Sequence, residues 1–309
     1  SPCTGALRLP RARHTDADVV TQTHSFRAMG TDITFLVDGP ADSARTLFAE
    51  AEGVVRGLET ILSRFLPNSE LARLNRSGHA RVHADLRCVT QLAIDARTDT
   101  DGRFDPTLCE AVVAAGYDRS FDDVPRDVGA TTPPVSHSGQ VAVDDVAGTI
   151  TLGRKVSLDL GGIAKGYAAE MAAELLAEAG PCLVNAGGDI ATRGVPTDGS
   201  WAVGVATADG EVTIGLTRGG LATSGRDRRR WQSDGEERHH IIDPNTMLPS
   251  QSDILRITVL APTAVAAETY ATALFMVGAD DAIAEAHSLG LTTIVVTDTG
   301  ETLTTGIAA

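Results

Sequence analysis

A chain of 309 residues, 42% hydrophobic and 22% charged, has material for a sizeable core and exceeds the usual single-domain length, so one large α/β unit and two interlocked lobes are both open. Its formal net charge of -15 argues against a nucleic-acid partner, which calls for a basic surface, and against electrostatic docking on anionic lipid. No apolar run approaches the ~20 residues of a membrane span, and with seven Phe, three Tyr and two Trp the core must rest on Ala, Val, Leu and Ile.

In chain order, residues 1–22 read as a polar, irregular arm and 23–309 as a single domain. Apolar and polar residues alternate from Ile33 to Val37, as in a half-buried strand. Over 41–63 the period changes: Leu47, Val54, Val55, Leu58, Ile61 and Leu62 share a helical face, with Asp42 as a cap. Ser69, one residue before Glu70, is the N-cap of a second helix after the break at Pro67 and Asn68. A further helix is expected from Leu86 to Thr98. Phe104, Asp105 and Pro106 then form a turn that no helix continues through, and Thr107 to Ala115 resumes the helix. Residues 118–140, rich in proline, Asp and Ser, read as a long surface loop.

Strands at 140–145 and 148–152 form a hairpin. Val156, Leu158 and Leu160 then read as a strand that ends at Gly161 and Gly162 and turns into a helix reaching Gly180. An apolar strand at Cys182 to Val184 ends in Asn185, a glycine pair and Asp189, and strands at 201–206, 211–217 and 220–224 continue a mostly antiparallel sheet. A charged turn, GRDRRRWQSDGEER, precedes HHIIDPNTMLPS. A strand at 254–260, a helix through APTAVAAETYATALFMVG, a helix at 279–288 and a last hairpin close the chain. The four cysteines, Cys3, Cys88, Cys109 and Cys182, form no CxxC pair. No zinc site is expected, and Cys88, Cys109 and Cys182 read as buried thiols. With no signal-peptide core in SPCTGALRLPRARH, the expected compartment is the cytoplasm, although a processed mature end is compatible with the same segment.

Several residues carry possible chemistry. The turn at Gly161 and Gly162 opens backbone groups at a helix N-terminus, where phosphate is favoured. Lys165 stands in that helix's first turn, where the dipole disfavours a cation unless an anion is near. A plain strand-to-helix turn with a solvated lysine accounts for the same letters. Glu268 and Thr272, four residues apart, form an oxygen pair for a hard cation such as Mg²⁺, or a solvated Glu beside a Thr bonded to its own helix. His240 reads as a general base, a phosphate donor or a histidine ending a strand. Asp105 and Asp189 also suit turns.

Taken together and in order, AMGTDITFLV, SRFLPNSELARLN, GRFDPTL, SLDLGGIAKGYAAE, NAGGDIATRG, TSG at 223–225, HHIIDPNT and ETYATALFMVG resemble the ApbE family of flavin transferases, over roughly residues 25–300. That resemblance implies an α/β (α+β mixed), two-lobed, T-fold-like architecture with a mostly antiparallel sheet and a flavin cleft between the lobes. It implies a Mg²⁺-dependent enzyme that moves FMN from FAD onto a threonine of a target flavoprotein and releases AMP. Met29, Phe65, Phe104, Asp105 and Pro106 would line the flavin cleft, with Asp159 and Lys165 on the nucleotide. Asn185, Gly187, Gly188 and Asp189 would form a second wall, and His240 and Ile242 would border the diphosphate. Gly162, through its carbonyl, Glu268 and Thr272 would hold Mg²⁺. The catalytic group would be His240, Asp243 and Lys165, with His240 the base and Asp243 the alternative. A pyrophosphatase yielding FMN and AMP, and a non-catalytic FAD binder, fit the same residues. This chain departs from the family pattern in having Glu268 for the usual Asp, Met247 for the usual Gly, and Phe65 where Tyr is frequent.

Overall fold

The computed structural model describes residues 20–129, 139–233 and 235–306. In chain order the elements are β1 (Thr21–Ala28), β2 (Thr31–Asp38), α1 (Ala41–Leu62), α2 (Glu70–Ser77), β3 (His79–Arg81), α3 (Ala84–Asp99), α4 (Cys109–Ala114), β4 (Val141–Asp144), β5 (Thr149–Leu152), α5 (Ala164–Leu176), β6 (Cys182–Ala186), β7 (Asp189–Arg193), β8 (Trp201–Thr207), β9 (Gly210–Leu216), β10 (Gly219–Gly225), β11 (Arg230–Ser233), β12 (Glu236–His239), β13 (Ile242–Asp243), β14 (Leu248–Pro249), β15 (Ile254–Ala261), α6 (Ala264–Phe275), α7 (Ala279–Ser288), β16 (Thr292–Thr297) and β17 (Thr302–Thr305). Most of the expected N-terminal arm lies outside the described residues, but its last part is already strand β1. Of the expected loop, residues 130–138 also lie outside them, and a single 3-10 turn, Phe121–Asp123, interrupts the rest.

The backbone of the molecule is an eight-stranded sheet in the order β1-β2-β6-β7-β10-β15-β16-β17, antiparallel throughout. Because side chains alternate across a strand, each strand feeds two layers. Phe35, Val37, Cys182 and Val184 meet Phe48 and Val55 of α1 and Leu176 of α5. Ile257, Val259 and Val295 meet Leu274 and Phe275 of α6 and Ala282 of α7. On the opposite face Leu36, Leu183, Ile190, Leu221 and Ile294 pack against Trp201, Val203, Val205 and Leu216. β8 and β9 were expected to extend the large sheet. They pair only with each other, and their Trp201, Val203 and Val205 alternation seals the face that the helices leave open.

A second core gathers Leu58 and Leu62 of α1, Leu71 and Leu74 of α2, Leu86 and Val89 of α3, and Ile150 of the small β3-β5-β4 sheet around Leu158, Leu160, Ile163 and Tyr167. Here the expected strand at 156–160 is absent. The segment is extended but is paired to a side chain: Asn75 Nδ2 donates to the Leu158 carbonyl at 2.8 Å, and the Leu158 N–H donates to Asn75 Oδ1 at 2.8 Å. The amide thus does for one residue what a neighbouring strand would do, which alternation alone does not reveal.

Other local outcomes have equally direct causes. Ser69 caps α2, accepting from the Ala72 N–H at 2.9 Å, whereas α1 begins after Pro40 with no side-chain cap and Asp42 sits inside its first turn. The charged turn after β10 is in fact the β11–β12 hairpin, with Arg230 opposite His239 and Trp231 opposite Arg238. Buried Trp231 anchors it, its indole N–H donating to the Ala115 carbonyl at 2.7 Å. Cys109 and Cys182 are buried as expected, but Cys88 lies on the outer side of α3 and is exposed. Among the described residues no helix is long and apolar enough to cross a membrane. Asn75→Ala strands two backbone groups beside fully buried Leu158, and the unmade bonds predict a loss of about 2–4 kcal/mol in urea unfolding. An unchanged midpoint would mean the 156–160 segment needs no such tether.

Candidate functional site

The site grows from the first turn of α5. Gly166 in that turn lies so close to α6 that an added Cβ would stand 2.8 Å from the Ala264 carbonyl oxygen, so only glycine admits this approach. The close crossing lets Glu268 of α6 cap α5 from outside, accepting the Gly166 N–H on Oε2 at 2.9 Å. Lys165 Nζ contacts Glu268 Oε1 and also Asp189 Oδ2. Asp189 reaches it because the two-residue turn between β6 and β7 is Gly187-Gly188, with φ of 68° and 108°. At Gly187 a Cβ would fall 2.2 Å from Thr31 Oγ1. Asn185 Oδ1 fixes the same turn, accepting the Gly188 N–H at 2.7 Å.

The three charged groups determine one another. Burial pulls the Lys165 ammonium down, but the charges of Asp189 and Glu268 outweigh it and its pKa is raised. Burial, then the neighbouring Asp189 charge, push the Glu268 carboxyl up against the opposing pull of Lys165. Two carboxylates facing one ammonium leave the cluster short of positive charge.

One turn beyond Glu268, Thr272 Oγ1 donates to the Glu268 carbonyl at 3.1 Å and lies 3.2 Å from Ser224 Oγ of β10. A Cβ on Gly162 would stand 3.8 Å from Thr272 Oγ1 and 3.1 Å from the Phe104 ring. Gly162, Glu268, Thr272 and Ser224 therefore form one oxygen-rich corner floored by buried Phe104. Among the described residues no cluster of three or more His, Cys, Asp and Glu could hold a metal by itself.

A second line of contacts leads from the glycine turn to the histidine. Asp159 pairs with Arg64 at 2.8 Å and accepts the Gly161 N–H on Oδ1 at 2.8 Å. The Arg64 guanidinium lies 4.1 Å from the Phe65 ring centre and 4.8 Å from that of Tyr117. Tyr117 in turn meets the His240 ring edge to face at 6.3 Å and Trp231 at 5.8 Å. His240 Nδ1 is buried and has no hydrogen-bond partner among the described residues. Burial first, then the Arg229 charge, hold His240 well below the ordinary histidine range. Its neighbour His239 is locked neutral: Nε2 donates to the Ser250 carbonyl at 3.0 Å and Nδ1 accepts the Ile241 N–H at 3.3 Å. Burial pushes His239 down to about 4.

Not every expected residue offers its side chain to this space. The Asp105 carboxylate, 1% exposed, is committed to Arg97 at 3.3 Å and to Thr107, so it fixes the 104–107 turn. Pro106 contributes its carbonyl, which accepts the Asp159 N–H at 2.8 Å. Asp243 closes its own turn, accepting the Asn245 N–H at 2.8 Å, and Ile242 is buried against Trp231 and Met247. Met29 occupies the β1–β2 turn at φ 53°, its N–H held by Glu59 at 2.7 Å and its side chain packed against both helical cores. Sequence reasoning missed Arg64, Tyr117, Ser224 and Arg229. Arg64 and Ser224 lay inside quoted motifs, and a buried partner was the signal that only the fold supplies.

The ApbE family model matches residues 29–295. The FAD:protein FMN transferase of Haemophilus influenzae is 31% identical over 305 residues, covering 89% of this chain and 87% of the relative. The chain belongs to the ApbE family. The FAD:protein FMN transferase of Salmonella typhimurium is 27% identical over 93% of this chain and 87% of the relative. The crystal structure of the ApbE protein of Thermotoga maritima superposes with a TM-score of 0.83 at 25% identity, covering 93% of this chain and 97% of that one.

Within an ApbE-family chain the three departures have physical readings. Met247 adopts φ 60°, the backbone that glycine takes without cost, and its side chain repays this by packing at 5% exposure beside Tyr117 and Trp231. Phe65 needs no hydroxyl to stack on Arg64. Glu268 uses its extra methylene on two partners at once.

Met247→Gly relieves about 1–2 kcal/mol of left-handed strain but deletes a buried side chain at a cost of about 2–5 kcal/mol. The variant is expected to lose about 1–3 kcal/mol, read by denaturant unfolding; a gain would mean that strain outweighs packing. For His239 the folded pKa of about 4 lies below the unfolded value near 6.5. The unfolded chain therefore takes up a proton that the folded chain refuses. Its contribution is complete above about pH 6.5 and falls away toward pH 4, by on the order of 3 kcal/mol. Unfolding free energies across that window should flatten in His239→Gln relative to the unsubstituted chain, and parallel curves would assign the acid sensitivity elsewhere.

Proposed function

We propose that this chain transfers FMN from FAD to a threonine hydroxyl of a target flavoprotein, with Mg²⁺, releasing AMP. The observation that carries the reading is that Lys165 at the α5 N-terminus meets the Glu268 carboxylate, and that Thr272, one turn further along α6, lies beside Ser224 and Gly162. One carboxylate with neutral oxygens is a hard donor set, suited to a cation that keeps sites for phosphate. Mg²⁺, held by the Gly162 carbonyl, the Glu268 carboxylate and the Thr272 hydroxyl, would supply positive charge to the phosphate oxygens.

The remaining work falls to side chains. Lys165 and the N-terminus of α5 attract the diphosphate, and the Arg229 charge beside His240 and Lys165 adds to that attraction. Phe65 and the Asn185–Asp189 turn flank the nucleotide. His240, neutral at pH 7, accepts the threonine proton as the threonine oxygen bonds to the FMN phosphorus. The bond from that phosphorus to the bridging oxygen breaks, and the bridging oxygen leaves with AMP. An arriving diphosphate places negative charge near His240 and raises its basicity when it is needed.

Incubation with FAD, Mg²⁺ and a domain bearing an acceptor threonine is expected to release AMP and add the mass of FMN to the acceptor. His240→Ala should slow transfer by roughly 10²–10⁴-fold and Glu268→Ala by roughly 10²–10³-fold. AMP release without acceptor modification in the unsubstituted protein would instead make it a pyrophosphatase, and no AMP would leave a flavin binder.

A further inference from the structure

Both oxygens of the Glu268 carboxylate are taken: Oε1 by Lys165 Nζ, and Oε2 by the Gly166 N–H at 2.9 Å. The other oxygen-bearing partner of Lys165 is Asp189, and among the described residues no second cation is paired with either carboxylate. Glu268 is 4% exposed and Asp189 4% exposed, so neither charge is relieved by water. A divalent cation entering this corner must take Glu268 from Lys165, because ligation needs an oxygen lone pair directed at the metal and an ammonium at the same oxygen repels it.

Resting on the metal reading above, we propose that Lys165 is the resident cation of the metal site. In the empty protein its ammonium holds Asp189 and Glu268 in register and blocks the metal carboxylate. A diphosphate gives the ammonium a new anionic partner, Glu268 is released, and the divalent cation binds with the nucleotide or after it, not before. Charge makes the order intelligible. The ammonium and two carboxylates sum to one negative charge. Adding a divalent cation with Lys165 still in place leaves excess positive charge in a buried corner, whereas adding it together with a diphosphate does not.

The length of Glu268 belongs to the device. Aspartate would withdraw the carboxylate by about 1.5 Å toward α6, loosening its hold on the Lys165 and Gly166 nitrogens while keeping the charge.

The test is Mn²⁺ affinity, by calorimetry and by the paramagnetic resonance signal of free Mn²⁺, on the full chain with and without FAD and with no acceptor. The unsubstituted protein is expected to bind Mn²⁺ at least 10-fold more tightly with FAD than without. Lys165→Gln should bind Mn²⁺ at least 10-fold more tightly than the unsubstituted chain in the absence of FAD, with most of the dependence on FAD gone. Lys165→Arg, which keeps the charge, should stay weak. Arg229→Gln removes a positive charge from the same neighbourhood without touching either carboxylate, and should raise affinity less than 3-fold. If Lys165→Gln fails to fold, Glu268→Asp is the second variant, and it should also narrow the gap between affinities with and without FAD. Mn²⁺ binding that ignores FAD, or that rises equally in Lys165→Gln and Arg229→Gln, overturns the resident-cation role while leaving the transferase reading intact. Absence of Mn²⁺ binding in every form, with FAD present, overturns the metal reading and this proposal together.

Discussion

Lys165, Asp189 and Glu268 are the contact on which the surrounding architecture depends, because each comes from a different element. Lys165 belongs to α5, Asp189 starts β7 and Glu268 belongs to α6. For them to meet, α6 must cross α5 at a glycine and the β6–β7 turn must be tight enough to hold Asp189 over the helix start. Gly166 and Gly187 supply those two conditions, and both are sites where a Cβ would collide with the neighbouring element. A buried ion cluster of this kind is a poor source of net stability, since desolvation offsets most of the attraction. Its presence is better explained by what it prepares: a dry corner with a carboxylate, hydroxyls and an ammonium already in place.

The Arg64 line does related work at longer range. Its guanidinium ties Asp159 to Tyr117, and Tyr117 supports His240, so the glycine turn and the histidine share one stack of planar groups. Dispersion and cation–π contact fix that stack without consuming Nδ1 of His240. The histidine stays neutral because it is buried beside positive charge. The same burial that would make a poor structural histidine makes an available proton acceptor.

Much of this was legible in the letters. Periodicity located α1, composition marked α6, helices were expected where α3 and α7 lie, Ser69 announced α2, and the ordered motifs pointed to the family. What was hidden has a common character: partners far away in sequence. Alternation at 156–160 suggested a strand, but Asn75 took the place of a neighbouring strand. The arginine run suggested a solvated turn, but Trp231 had a buried carbonyl waiting at Ala115. Asp105 was expected to line the cleft and Asp243 to stand in as the base, yet both accept the N–H two residues ahead. That habit belongs to aspartate in turns generally and carries no information about chemistry. Lys165 was the opposite case, since a cation where the helix dipole disfavours one pointed to an anionic partner that turned out to be two carboxylates.

Two of the three departures from the family pattern, Met247 and Glu268, follow from the same distinction between local preference and tertiary partner. Met247 accepts a backbone that glycine would prefer because a pocket beside Tyr117 and Trp231 takes its side chain, so a local cost is offset by a distant contact. Glu268 accepts the side-chain entropy of an extra methylene because Lys165 and the Gly166 N–H hold both its oxygens. In each case the substituted residue is larger than the usual one and faces the interior. A larger residue at such a point does not loosen the site; it transfers the task of shaping it from the backbone to the neighbours that pack around it.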